Sequence, residues 1–283
     1  MSTEPHVSIP DRVRQILPLA RPKKSLGQHF LTSRSILQNI VSAADVGPDD
    51  TVVEIGPGLG SLTQSLADAA GKVVAIELDD ALAAALTEAC LETPNVSVIH
   101  ADAREIAIDS LLGPGHPPYK VVANLPYYAA LPILRRFLEA EHPPSVLVVM
   151  IQLEVARAMV AQPGDMSLVS IAVQAYGTPR MVCRVPPGAF NPPPKVTSAV
   201  VRIDMNDKPI VGAPHMTNFF KVVRGGFSAP RKQLLNSLSQ GLRLPRDSTA
   251  EALTEASIDA KLRPEDLSLE DWANLANALE RKL

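Results

Sequence analysis

Apolar residues recur along the first two thirds of the chain in short runs, set apart by stretches of helical spacing. "TVVEIG" (51–56) is a continuous apolar run of the kind that a buried strand carries, and "SLTQSLADAA" after it has the spacing of a helix. The pattern repeats. "KVVAIEL" predicts a strand and "DALAAALTEAC" a helix, then "VSVIHAD" and "YKVVANL" predict two more strands. "LPILRRFLEA" reads as a helix, "SVLVVMI" as a strand and "LEVARAMVA" as a helix, with "SLVSIAVQAYG" and "AVVRIDM" as the last two strands. Strands alternating with helices at this spacing imply an α/β domain with a parallel, doubly wound sheet. "SRSILQNIVSAADV" (33–46) adds a helix ahead of the sheet, with Ser33 or Ser35 as its N-cap.

The pattern changes at both ends. Residues 1–24 hold Pro, charge and no period, which predicts a loose basic arm. Residues 206–215, "NDKPIVGAPH", read as a linker. Beyond it, "MTNFFKVVRGGF", "PRKQLLNSLSQGL", "STAEALTEA" and "SLEDWANLANALE" are all helical in spacing. The expected organisation is an arm (1–24), a catalytic domain (25–205), a linker and a small all-α C-terminal domain (216–283).

Composition adds little to this outline: 46% hydrophobic and 20% charged residues are ordinary for a globular chain of 283 residues. Charge distribution adds more. Net charge is −3, yet residues 1–34 carry six basic residues against Glu4 and Asp11, and residues 219–246 carry six and no acid. Such runs are either solvated surface or a polyanion-binding face. Lys23, Lys24, Arg231 and Lys232 within them are the candidate contacts for a polyanion such as RNA. Cys90 and Cys183 stand far apart beside apolar residues, which fits a reduced cytoplasmic setting with no disulfide framework. No metal-ligand set, signal core or membrane-length apolar run is read in the sequence.

The chemistry concentrates at predicted strand ends. "VVEIGPGLGSL" places Gly56, Gly58 and Gly60 between the first strand and its helix, where a ligand can approach the backbone closely. A dinucleotide fingerprint needs glycine at position 61, which is Ser61, and a P-loop needs a Gly-Lys-Ser/Thr ending, which is absent. The remaining reading is the E-x-G-x-G-x-G turn of S-adenosylmethionine (SAM) methyltransferases, opened by Glu54. Glu77 ends the second strand, where a carboxylate can accept ribose hydroxyls, and Asp102 ends the third, where it can meet an adenine amine.

Asn124 ends the fourth strand within "NLPYY". Methylating an exocyclic amine requires that a delocalised nitrogen be oriented. The Asn124 amide oxygen and the Pro126 carbonyl can accept its two N–H bonds, and Tyr127 offers a stacking face for an extruded base. Phe190, in the stiff "GAFNPPPK" loop, is the candidate for the opposite face.

These segments together resemble the KsgA-type family of small-subunit rRNA adenine N6-dimethyltransferases. The resemblance runs through "KKSLGQHFL", "VVEIGPGLGSLT", "VVAIELD", "HADA", "NLPYY", "VPPGAFNPPPKVTSAVVR" and "RKQLLNSL", and so covers most of the chain. It implies a Rossmann-like SAM-binding sheet with His29, Leu31, Gly56, Glu77, Asp102 and Asn124 around the cofactor. It further implies dimethylation of two adjacent adenines in a hairpin near the 3′ end of the small-subunit rRNA, within an immature 30S particle, by a monomeric enzyme whose helical domain docks RNA. The chain departs from the family pattern at Tyr128, Ala129 and Ala130 after the tetrad, at Leu153, in the short "QPGDMSLVS" segment, and at Pro230 and Leu235. Three alternatives remain: an erythromycin-resistance-type methyltransferase of large-subunit rRNA, a non-catalytic assembly factor, and a small-molecule methyltransferase. The leucine of NLPY and the Arg-Lys…Asn-Ser-Leu block favour the small-subunit family over the first. The intact tetrad argues against the second, and the basic runs against the third.

Overall fold

The computed structural model describes residues 7–17, 22–23, 26–113, 115–212 and 215–283. It divides into two compact units, residues 1–156 with 180–205 and residues 157–179 with 206–283.

The first unit begins with α1 (Ile9–Ile16), β1 (Phe30–Leu31) and α2 (Arg34–Ala44). Next come β2 (Thr51–Ile55), α3 (Ser61–Ala67), β3 (Lys72–Glu77), α4 (Asp80–Ala89) and β4 (Val96–His100). The chain continues through α5 (Ile108–Leu112), β5 (Tyr119–Asn124), α6 (Ala130–Leu138), β6 (Val146–Gln152) and α7 (Leu153–Met159). After α8 (Leu168–Gln174) it returns by β7 (Gly177–Val185), β8 (Phe190–Asn191) and β9 (Ser198–Met205). Seven strands form one sheet in the order β4-β3-β2-β5-β6-β9-β7. The five strands β2 to β6 are parallel neighbours, and β9 runs antiparallel to β6. The near-continuous apolar runs follow from this, because a parallel sheet is covered on both faces. Val52, Val73, Val122 and Val148 are fully buried. The strand order reverses at β2, so the crevice for a ligand opens at the carboxyl ends of β2 and β5.

Two sequence expectations are corrected here, one in the first unit and one in a segment of the second. Residues 9–16 lie in the expected loose arm, yet they form a helix. Ile9 and Val13 bury themselves with Ala75, Leu86 and Cys90, and the Ile9 N–H donates to Gln64 Oε1 at 3.0 Å. Gly60 makes room for this contact: a Cβ there would meet Ile9 Cγ2 at 2.7 Å. Residues 167–177, expected as a strand, instead form α8. Ser167 Oγ accepts from the Ser170 N–H and Ser170 Oγ accepts from the Ser167 N–H, a capping box that starts a helix. The strand follows one step later as β7, whose Pro179 and largely half-exposed residues hide any strand pattern.

The second unit is helical. α9 (Met216–Gly226), α10 (Leu234–Leu242), α11 (Arg246–Glu255) and α12 (Leu269–Leu279) surround Phe219, Val222, Leu238 and Trp272. Residues 157–179, expected in the catalytic domain, belong to this unit, because α8 buries Ile171 and the following Ala175 in the same core. No helix among the described residues is long and apolar enough to cross a membrane.

Candidate active site

The crevice at the strand ends has a volume of about 1100 Å³, counting its solvent-filled mouth. The turn after β2 forms its floor. Gly56, Gly58 and Gly60 all have positive φ (67°, 57° and 80°). At Gly58 a Cβ would also stand 3.0 Å from the Phe30 ring, so only glycine keeps the backbone open to a ligand there. Glu54, at the end of β2, lines the crevice and is 1% exposed. Its Oε2 has no hydrogen-bond partner among the described residues, and burial pushes its carboxyl up to about 8. A buried oxygen without a partner on a cavity wall is a place for a polar ligand group.

Glu77 ends β3 with its carboxylate oriented by the backbone. Oε2 accepts from the Gly58 N–H at 3.0 Å and Oε1 accepts from the Asp79 N–H at 2.9 Å. Each oxygen keeps a further lone pair for a ligand hydroxyl. Burial raises this carboxyl above its usual range, against those backbone bonds. Asp102, past the end of β4, is gripped by Arg104, whose Nε lies 3.0 Å from both carboxylate oxygens. That fork lowers the Asp102 pKa.

A strap over residues 26–31 closes one side of the crevice. It is pinned through buried Asp79, whose Oδ2 accepts from Gln28 Nε2 at 3.1 Å and pairs with Lys23 Nζ at 3.0 Å. Burial pushes Asp79 up, but these donors outweigh it and leave the carboxyl below its ordinary value. Farther along, β1 pairs with β8, and His29 Nδ1 donates to the Pro192 carbonyl at 2.8 Å.

Asn124 completes the constellation. Its Nδ2 donates to the His29 carbonyl at 3.2 Å, which settles the amide's orientation and leaves Oδ1 as an acceptor. Tyr127 stacks on His29 with ring centroids 6.1 Å apart and shares a 2.6 Å hydrogen bond with the buried Ser198 hydroxyl. Burial raises the Tyr127 phenol, so the ring is neutral at physiological pH. The Pro126 carbonyl turns back to accept the Ala129 N–H at 3.0 Å. No hydrogen bond among the described residues engages the Leu125 carbonyl, so it, rather than the Pro126 carbonyl expected from the sequence, is the freer acceptor beside Asn124.

The structure thus gathers His29, Leu31, Glu54, Gly56, Gly58, Glu77, Asp102, Asn124, Pro126 and Tyr127 around one crevice. Phe190 is not among them. Its ring is 4% exposed in the core, opposite Leu31 across the β1–β8 pair, so the expected stacking role is withdrawn. Gln28, Asp79 and Ser198 were not legible in the sequence because their partners are distant in the chain or lie on a strap with no regular period, and Arg104 because an exposed arginine two residues from Asp102 reads as ordinary surface charge. Tyr128, 52% exposed, also lines the mouth, its ring next to Gly27.

The candidate RNA contacts separate. Lys23 is tied to Asp79 and Asp80, and two other cations of the first basic run, Arg12 and Arg14, pair with Glu92 and Asp11. Lys24 lies outside the described residues. Arg231 and Lys232 are exposed, and Lys232 Nζ donates to the Gln240 amide oxygen at 3.4 Å, its one side-chain bond among the described residues.

A parallel sheet with its glycine turn, strand-end acids and an Asn-Leu-Pro-Tyr corner defines a SAM-dependent methyltransferase. Residues 20–281 match the family Ribosomal RNA adenine dimethylase, and the chain belongs to it. It is 49% identical over 255 residues to the Ribosomal RNA small subunit methyltransferase A of Dehalococcoides mccartyi (strain ATCC BAA-2266 / KCTC 15142 / 195), covering 90% of this chain and 87% of the relative. The protein of the same name from Alkaliphilus oremlandii (strain OhILAs) is 43% identical, over 98% of this chain and 99% of its own. Among solved structures, a dimethyladenosine transferase from Plasmodium falciparum superposes with a TM-score of 0.76 at 26% identity, covering 90% of this chain and 98% of that one. The 23S rRNA methyltransferase ErmE gives 0.70 at 28% identity, covering 89% and 99%.

Proposed function

We propose that this protein transfers methyl groups from SAM to N6 of two adjacent adenosines in a hairpin near the 3′ end of small-subunit rRNA, late in subunit assembly. The observation that carries the reading is the fixed Asn124 amide, with its oxygen unengaged among the described residues and beside the Leu125 carbonyl and the Tyr127 ring. SAM, when bound, supplies an electrophilic methyl group on its sulfonium. The protein's own part is to bind, orient and keep out water. Glu77 offers its spare lone pairs to hydroxyls, and Asp102 offers an acceptor to an amine. Asn124 Oδ1 and the Leu125 carbonyl accept the two N–H bonds of the target amine, which holds the nitrogen lone pair out of the ring. Tyr127 gives the extruded base an apolar face. The aminium product is acidic, so no strong base is needed.

ErmE favours the large-subunit alternative by its fold likeness alone, whereas the relatives at 43–49% identity carry the small-subunit name. We read the protein as a cytoplasmic monomer acting on an immature 30S particle, with Arg231 and Lys232 on the RNA. The test is incubation with labelled SAM and unmethylated small subunits, followed by mapping of the label. Label on paired adenines of small-subunit rRNA supports the reading. Label confined to large-subunit rRNA overturns it.

A further inference from the structure

Three side chains with metal-ligating atoms converge far from the crevice. Asp109 stands in the first turn of α5, His116 in the loop leading to β5, and His142 in the loop between α6 and β6. One carboxylate oxygen, Asp109 Oδ1, lies 3.1 Å from His116 Nε2 and 3.1 Å from His142 Nδ1. All three ligand atoms fall within 4.8 Å of one another. The place is at the amino ends of β5 and β6, the opposite end of the sheet from the carboxyl-end crevice. No element of the methyl-transfer site uses these residues.

The hydrogen bonds set the His116 tautomer. Its Nδ1 is 2.9 Å from the Pro117 carbonyl oxygen, and a carbonyl only accepts, so Nδ1 carries a hydrogen. In the neutral ring, Nε2 then presents its lone pair to Asp109 Oδ1. Two electron-rich atoms at that separation repel unless positive charge lies between them. A proton on Nε2 answers this one contact. A divalent cation answers all three donors together. An imidazole that gives its remote N–H to a backbone carbonyl and turns its other nitrogen toward a shared centre is the usual arrangement of a metal-ligating histidine.

The surroundings suit an ion as well. The His116 side chain is 8% exposed and anchored, whereas Asp109 and His142 are 47% and 64% exposed and leave an entry path. Tyr119, 1% exposed, braces both histidines: its hydroxyl donates to the His142 carbonyl at 3.1 Å, and its ring meets His116 edge to face at 5.4 Å. Around a tetrahedral ion with bonds near ~2.1 Å, neighbouring ligand atoms stand roughly 3.4 Å apart, a few tenths beyond the two contacts present.

We propose that Asp109, His116 and His142 form a binding site for a first-row divalent metal ion, of which Zn²⁺ suits the donor set best. Water completes the coordination. Any proton on His116 Nε2 leaves to solvent as the ion enters. The ion clips the loop before β5 to the loop before β6, a structural role at the far end of the sheet.

The experiment uses the untagged full chain, stripped with a chelator and titrated with Zn²⁺ alone against a chromophoric competitor. One ion per chain is expected, with affinity at least tenfold weaker in His116→Ala and in His142→Gln and unchanged in Cys183→Ser. Co²⁺ in place of Zn²⁺ gives visible d–d bands that the same two histidine variants abolish. His142→Gln alters an exposed side chain, and its circular dichroism spectrum establishes that the fold is kept. Absence of stoichiometric binding to the wild type, or wild-type affinity retained in both histidine variants, overturns the proposal. In the first case Asp109 and His116 form a proton-linked pair only, and in the second the ion sits elsewhere.

Discussion

The side-chain amide of Asn124 donates to the main-chain oxygen of His29 across 95 positions of sequence, at 3.2 Å. This bond ties the corner after β5 to the strap over the crevice and leaves Asn124 Oδ1 as the acceptor. Asn124→Ala removes an acceptor for the target amine but none of the glycine turn, Glu77 or Asp102. SAM affinity, measured by calorimetry, should stay within a few-fold of wild type. Methyl transfer to unmethylated small subunits should fall by about 10²-fold or more, the usual cost of losing one preorganised transition-state partner. Turnover near the wild-type rate would remove Asn124 from the chemistry.

Tyr127 separates two contributions. Its hydroxyl meets Ser198 Oγ at 2.6 Å, while its ring faces His29. Tyr127→Phe keeps the ring and leaves the buried Ser198 hydroxyl without that partner, so we expect a stability loss of about 1 kcal/mol in chemical denaturation with most activity retained. Tyr127→Ala removes the stacking face and should lose turnover far beyond that. Equal activity losses in the two variants would shift the essential role to the hydroxyl.

Much of this site was legible because its residues sit at strand ends. Runs such as "VVEI" and "KVVAN" announce parallel strands, and a doubly wound sheet sends their carboxyl ends to one crevice. Strand-end position therefore brings Glu77, Asp102 and Asn124 to the crevice, while the E-x-G-x-G-x-G turn marks Glu54 and the NLPY tetrad singles out Asn124. Phe190 was misjudged because a Pro-rich loop looks exposed in sequence, whereas the β1–β8 pairing turns its ring into the core. Residues 9–16 were misjudged because only two of their side chains, Ile9 and Val13, carry the burial, too few for a visible period. The Asp109, His116 and His142 cluster had no spacing to reveal it, since three separate segments meet there.

Glu54 predicts a pH effect with a definite sign. Its carboxyl titrates near 8 in the folded protein, because burial disfavours the charge, against 4.5 as the ordinary value. The folded state therefore holds a proton that the unfolded state has lost between those values. Stability conferred at this position is highest below the unfolded value and declines as pH rises toward 8. Glu54→Gln keeps a neutral polar group in place. It should flatten the pH dependence of unfolding in urea over that window and stabilise the unliganded protein by on the order of 1 kcal/mol at neutral pH. A variant whose pH profile parallels the wild type would show that Glu54 is ionised in the fold.

The two basic segments should respond differently to charge reversal. Arg231 and Lys232 are exposed in the helical unit, with no acidic partner among the described residues, so each is available to a phosphate. Replacing both with Glu should weaken rRNA binding and reduce the slope of log K against log salt by about 1–2, as expected when one or two counterion-releasing contacts are lost. Lys23 lies in the other run, but its ammonium is held by Asp79, which also anchors Gln28 and caps α4. Lys23→Ala should therefore leave the salt slope of RNA binding unchanged. It should weaken SAM binding several-fold by loosening the strap that Asp79 pins. Filter binding across a salt series, paired with SAM calorimetry on the same variants, separates the two roles. An altered salt slope in Lys23→Ala would place RNA on the strap itself and make the ion pair with Asp79 secondary to phosphate contact.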